Sequence, residues 1–254
     1  MNAVESFRAV VTRSGWTLDE AALAIAAGAD PRLDTGRWLT ELDRLAEGVG
    51  SFGALTRRLF VEAGFAGNGE RYHDPRNSLL HQVLARRLGL PITLSVVCLE
   101  VARRAGVDME GVAMPGHFLV RHVGSQQYVD VFGGGELLDL AGCEARFRRS
   151  TGMQIPFGDH LLPTATRPAI LARILENLRG VYRAGRPADL EWVLRMRLIL
   201  PGAGIEEVIE LGEAMGRQGK WLDAAAQLES TVDSWPQYGE RLTVAARSLR
   251  AHLN

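Results

Sequence analysis

Cysteine, lysine and long hydrophobic runs are all scarce in this chain of 254 residues. Its two cysteines, Cys98 and Cys143, are too few for a disulfide scaffold and have no metal-ligand spacing. The longest apolar run, residues 90–102, is too short and too interrupted to span a bilayer. The formal net charge is −1, and no basic stripe with interleaved aromatic side chains is present. Neither nucleic acid nor an anionic membrane is therefore expected as a partner.

The rest of the composition is that of an ordinary globular protein. Hydrophobic residues make up 46% and charged residues 23%, and the length suffices for one large core or two modest domains. The first 15 residues lack the basic patch and apolar core of a secretory signal, so we expect a cytoplasmic protein. The six histidines show no ligand spacing, so neither a metal nor another cofactor is expected.

Helical signals dominate residues 1–64. Thr17 can cap a helix, and Glu20 lies three residues further on, ahead of an alanine-rich run at 21–27. Leucines at helical spacing continue the pattern. We expect an N-terminal helical segment that packs on the rest of the protein.

Residues 65–145 predict an α+β core. Pro91 is tolerated at the first position of a helix, and the segment from residue 92 to about 105 is apolar nearly all round, which is typical of a buried helix. From Gly111 onward, apolar residues predict antiparallel strands, which the glycines at 133–135 are expected to break.

The C-terminal part predicts a connector followed by helices. Residues 146–167 contain several glycines and prolines and favour a connector packed on the surface. Residues 168–254 favour helices with an internal offset of 34, at which Asp189 matches Asp223. That period is typical of tetratricopeptide-like repeats. Two units are too few to fold alone, so we expect them to dock on the core.

A long, ordered set of motifs lies between residues 65 and 134. They are Phe65-Ala66-Gly67-Asn68, Asp74-Pro75-Arg76-Asn77-Ser78, Gly89-Leu90-Pro91-Ile92-Thr93-Leu94-Ser95, Pro115-Gly116-His117-Phe118 and Phe132-Gly133-Gly134. This segment resembles the SirB-type branch of the transglutaminase-like superfamily. The resemblance implies a papain/transglutaminase-like core, with a central buried helix on an antiparallel sheet, N-terminal helices and a tetratricopeptide-like tail.

The resemblance also implies a catalytic arrangement with one member missing. Active members of the superfamily use Cys, His and Asp, and the Cys opens the central helix. His117 takes the place of the histidine and Asp130 that of the acid, whereas Pro91 stands where the nucleophilic Cys is expected.

A hydroxyl could replace the missing thiol. On a regular helix, Ser95 shares the face of Pro91 one turn further in, whereas Thr93 points away. A serine nucleophile needs a base within hydrogen-bond reach and donors for the oxyanion. The simpler interpretation, which we favour, is that Ser95 is a small residue that lets the helix pack against the sheet.

Three functions remain open from the sequence. The cleft could bind a peptide, a protein partner or a small ligand without turnover, with Tyr72, Asn77, Pro91 and Thr93 as candidate ligand-binding residues. The chain could instead be an amide or ester hydrolase or acyltransferase that uses Ser95, His117 and Asp130. Finally, it could be a scaffold in which even the His–Asp pair is structural.

Overall fold

The computed structural model describes residues 2–125 and 127–252, and over these it contains twelve α-helices and six strands. The helices are α1 (Ala3–Thr12), α2 (Leu18–Ala29), α3 (Thr35–Ala46), α4 (Phe52–Thr56), α5 (Leu80–Arg86), α6 (Pro91–Arg104), α7 (Leu140–Thr151), α8 (Arg167–Gly185), α9 (Leu190–Arg197), α10 (Ile205–Gly216), α11 (Trp221–Thr231) and α12 (Gly239–Ala251). The strands are β1 (Ala66–Gly67), β2 (Leu88–Gly89), β3 (Met109–Val112), β4 (Leu119–His122), β5 (Tyr128–Asp130) and β6 (Glu136–Leu138).

The N-terminal helices surround the central helix α6. The Thr17 N–H donates to Glu20 Oε2 at 3.1 Å, so α2 begins where the capping pattern predicts. Phe7, Leu23 and Leu42, one from each of the first three helices, are fully buried in the same core as Val97 of α6. The apolar side chains of α6 therefore find partners on several sides, as its sequence predicts for a buried helix.

Strands β3 to β6 form one antiparallel sheet in chain order. Successive side chains on a strand point to opposite faces. Val120 and Val129 accordingly join the core that contains α6, whereas Leu119 and Tyr128 pack with Phe147 of α7 on the other face. The sheet lies between α6 and α7, and this mixed architecture agrees with the α+β class expected from the sequence.

The structure corrects two boundaries in this core. The glycines at 133–135 do not end the sheet but form the turn that joins β5 to β6. Likewise, the predicted connector at 146–167 begins inside α7, whose start is capped by Asp139 through a 2.8 Å bond from the Gly142 N–H. The buried side chains of α7 are only Cys143 and Phe147, which is too weak an apolar pattern to indicate a helix.

Helix α5 begins directly after a 3₁₀ turn. Asn77 and Ser78 belong to that turn and its end, and Leu79 is the residue before the helix. The helix ends at Arg86 because Arg87 adopts a left-handed conformation with φ of 61°.

The C-terminal region is helical, as predicted, and contains a second core. Helix α8 packs into the main core through side chains such as Leu171 and Leu178. Helix α9 contributes Val193 to the main core and Leu194 to a separate core that it shares with α10, α11 and α12. In the described part of the chain, no helix combines the length and apolar character needed to cross a bilayer.

Candidate functional site

His117 is held at the edge of the sheet by a tight turn just before β4. The His117 N–H donates to the Met114 carbonyl at 3.0 Å. Gly116 adopts φ of 76°, and a Cβ there would lie 2.8 Å from the Ser150 hydroxyl, so this position favours glycine in both conformation and space. The imidazole is only 9% exposed.

Asp130, at the end of β5, holds that imidazole in place. It is fully buried. Its Oδ1 accepts a 2.8 Å bond from His117 Nε2 and 3.0 Å bonds from the N–H groups of Phe132 and Gly133. Arg146 of α7 lies 2.9 Å from the other oxygen, Oδ2. The structure thus brings together the two residues that the sequence paired across neighbouring strands.

The electrostatics of this pair fix which nitrogen of His117 is free. Burial acts to raise the pKa of Asp130, but the hydrogen bond and charge of His117, the Gly133 N–H and the Arg146 charge together hold that pKa below its ordinary value of 3.8. An ionised carboxylate only accepts hydrogen bonds, so Nε2 carries the hydrogen. The other nitrogen, Nδ1, has no partner among the described residues and is not a buried atom.

His117 lies in the wall of a cleft of about 250 Å³ between α6, the sheet and α8. Pro91 and Ile92 come from the first turn of α6, and Tyr72 comes from the loop before α5. The remaining lining residues are Ala113, Met114, Pro115, Gly116, Phe118, Ala165, Ala169, Arg173 and Asn177. The cleft is therefore mostly apolar with a few polar groups, which is typical of small-ligand sites.

Ser95 lies outside this cleft. It is fully buried, and its hydroxyl donates to the Pro91 carbonyl at 2.8 Å. No hydrogen bond joins it to His117 within residues 2–125 and 127–252. The structure therefore contains the His117–Asp130 contact of such a triad but lacks the Ser95–His117 contact that a serine nucleophile would need.

Thr93 and Asn77 lie behind the cleft wall rather than in it. Thr93 Oγ1 accepts from the Leu90 N–H at 3.1 Å and donates to the Asn77 carbonyl at 2.5 Å, which joins the start of α6 to the preceding turn. The Asn77 amide donates to the carbonyls of Arg71 and Tyr72 at 2.7 and 3.2 Å. Asn77 thus fixes the loop that carries Tyr72 to the cleft, while Tyr72 and Pro91 line it directly.

Arg173 and Asn177 are cleft residues that sequence reasoning missed, because they come from α8, well beyond the segment that carries the motifs. A weak signal exists in their spacing: Ala169, Arg173 and Asn177 recur every four residues and so share one helix face. That spacing becomes informative only when the face that meets the cleft is known.

Neither native thiol lines the cleft. Cys98 and Cys143 are buried, and burial raises the pKa of each thiol to about 12, so neither forms a thiolate at neutral pH. In the part of the chain that the structure describes, no group of three or more His, Cys, Asp or Glu side chains is arranged to hold a metal ion.

Fold and site together define a class: an α+β protein in which the start of a central helix and a His–Asp pair on an antiparallel sheet line one cleft. A family model described as the transglutaminase-like superfamily matches residues 24–176, which is more than half of the chain. The chain belongs to this superfamily.

Several curated relatives are similar to this chain. A UPF0162 protein of Xylella fastidiosa (strain 9a5c) is 45% identical over 149 residues, covering 54% of this chain and 53% of that protein. A UPF0162 protein of Pseudomonas aeruginosa is 34% identical over 182 residues, covering 67% of each. F-box only protein 21 of Mus musculus is 38% identical over 101 residues, which is 36% of this chain and 16% of that protein. The chain spans about half the length of the first relatives it matches. No solved structure gives a significant match.

Proposed function

We propose that this chain is a pseudoenzyme of the transglutaminase-like superfamily, whose cleft binds a peptide or a small ligand without turning it over. The observation that carries the proposal is Pro91 in the wall that also contains His117. Proline offers neither a nucleophilic side chain nor a backbone N–H. The position at the start of α6 therefore lacks both a nucleophile and a donor for a developing oxyanion.

The rest of the cleft supports a binding role. His117 keeps its buried, ionised partner Asp130 and lines the cleft, and its Nδ1 has no partner among the described residues. Tyr72 packs edge-on against Phe132, whose ring also meets His117 edge-on, with centroids 6.0 and 6.3 Å apart. These contacts preorganise the cleft walls, which reduces the entropy lost when a ligand binds.

A hydrolase or acyltransferase that uses Ser95 is the alternative, and the buried hydroxyl argues against it. To attack a substrate, Ser95 would have to give up its bond to the Pro91 carbonyl and move from a site with no solvent exposure into reach of His117. A pure scaffold is also less well supported, since it leaves the accessible Nδ1 of His117 without a role.

We further assign the chain to the SirB-type branch and its C-terminal helices to a tetratricopeptide-like region that binds a protein partner. The support is the motif order together with two successive helix pairs, α8–α9 and α10–α11, near the 34-residue offset. Stacked helix pairs of this kind present extended surfaces to partners.

Titration of the protein with pools of short N-acetylated peptides tests the binding role, with the His117 imidazole followed by NMR and the products by mass spectrometry. We expect His117 to shift, the peptides to remain intact, and His117→Ala to weaken binding while Ser95→Ala leaves it nearly unchanged. Peptide cleavage or acyl transfer that both variants lower by large and similar factors would refute the proposal, because members of a catalytic unit are not additive.

A further inference from the structure

Arg173 is a cation at the cleft without a neutralising partner. It is exposed on α8, lines the cleft, and forms no ion pair with any described residue. Two other arginines on the same helix, Arg179 and Arg183, both pair with Glu210, at 2.5 and 2.6 Å. An arginine that remains free beside a cleft can therefore bind an anion that enters it.

The surroundings of Arg173 favour negative charge. Of the described residues that line the cleft, none is acidic. Asp130 lies behind the imidazole, where it contacts His117 Nε2 and the Arg146 guanidinium. Pro91 and Ile92 of the first turn of α6 also line the cleft, so the positive end of the dipole of this helix lies on this side. These features favour an anion in the cleft.

Asn177 lies one turn beyond Arg173 on the same face of α8. Its amide has no hydrogen-bond partner among the described residues and its atoms are not buried, so it can donate into the cleft. A planar guanidinium matches a carboxylate through two parallel hydrogen bonds. A neighbouring amide donor adds a third bond, which a single flat carboxylate can accept.

The size of the cleft limits the ligand. Its volume of about 250 Å³ lies below the range usual for drug-sized ligands, so it suits the end of a chain or a small acid. His117 lines the same cleft as Arg173, and its Nδ1 has no partner among the described residues, so the imidazole reports on a ligand held there.

We propose that the cleft recognises a carboxylate group, either of a small acid or of the C-terminal end of a peptide, with Arg173 and Asn177 binding that carboxylate. This inference rests on the proposed function, because it specifies the ligand of the same non-catalytic cleft.

The test compares two pools of N-acetylated dipeptides, one with free carboxylates and one amidated at the C-terminus, against the full chain. Binding is followed through the His117 imidazole. We expect the carboxylate pool to bind at least about tenfold more tightly than the amide pool. Arg173→Gln should remove that preference. The matched control is Arg247→Gln, an equal loss of charge at an exposed arginine of α12. Comparing the affinity for N-acetylalanine with that for an N-acetylated hexapeptide shows whether the cleft binds a free small acid or the C-terminal end of a peptide more tightly.

The outcomes distinguish the two proposals. Equal binding of both pools, or an Arg247→Gln effect as large as that of Arg173→Gln, would overturn carboxylate recognition and leave the binding role intact. Displacement of the carboxylate pool by inorganic phosphate at equal concentration would also overturn carboxylate recognition, because the cleft would then bind any anion without selecting a carboxylate. Binding of neither pool would refute both proposals, whereas turnover of a bound peptide would refute only the pseudoenzyme role.

Discussion

Replacing Asp130 by Asn removes the charge that organises the candidate site while keeping the side chain's shape. The amide oxygen can still accept from His117, Phe132 and Gly133, as Oδ1 does at 2.8 to 3.0 Å. The amide NH₂ then takes the place of Oδ2, where the Arg146 guanidinium lies at 2.9 Å. The substitution therefore sets two donors against each other in a fully buried position.

We expect Asp130→Asn to lower the free energy of unfolding by about 3 kcal/mol near neutral pH, the low end of the range for breaking a buried ion pair. The low end applies because Arg146 is not left unpaired: it retains its ion pair with Glu136 at 2.5 Å. The pKa of Asp130 lies below 3.8 in the folded state. Its stabilisation is thus fully present above the unfolded-state pKa and is lost as pH falls through the folded-state pKa. Since Asn does not titrate, the difference in the free energy of unfolding between variant and wild type should become smaller in acid.

Urea unfolding at pH 7 and at successively lower pH measures this difference. The matched control is Glu136→Gln, which removes the other partner of Arg146 from a half-exposed position and should cost below about 1 kcal/mol. If Asp130→Asn cost no more than this control, or if the gap did not change in acid, the assignment of Asp130 as a buried, ionised anchor would be wrong.

Two further predictions concern the turn after Asp130 and the start of α6. Gly135→Ala should destabilise the protein by about 1–3 kcal/mol more than Gly134→Ala. Both glycines have positive φ, so both substitutions strain the backbone, but only at Gly135 would the added Cβ clash with the Phe60 ring. Thermal unfolding of the pair measures this, and equal losses would contradict the packing of that turn. Pro91→Cys should place a thiol of lowered pKa in the cleft, which iodoacetamide should alkylate at pH 7, and more slowly in the Pro91→Cys, His117→Ala double variant. The two native thiols, whose pKa burial raises to about 12, should stay unmodified. An unreactive introduced thiol would count against a functional His117.

The sequence is most informative where burial is extreme. Helix α6 is apolar nearly all round, and its residues admit few alternatives to a central buried helix. The strand pattern likewise indicates which segments pair, and pairing of β4 with β5 brings His117 near Asp130. Helix α7 was missed because only Cys143 and Phe147 face the core, which leaves too weak an apolar pattern to indicate a helix after Asp139.

The rest of the site depends on contacts that periodicity does not encode. Helical geometry puts Ser95 one turn below Pro91 but does not say whether its hydroxyl turns to the cleft or to the Pro91 carbonyl, and the structure has the latter. Arg173 and Asn177 reach the cleft only because α8 packs across the core, a contact distant in sequence.

On the proposed function, this cleft binds its ligand without covalent chemistry. The most direct measurement is peptide mapping by mass spectrometry after incubation with p-nitrophenyl acetate, an activated acyl donor. We expect Ser95 to remain unmodified, because its hydroxyl is buried and bonded to the Pro91 carbonyl. An acetyl group on Ser95 that disappears in the His117→Ala variant would contradict the claim and establish a working nucleophile.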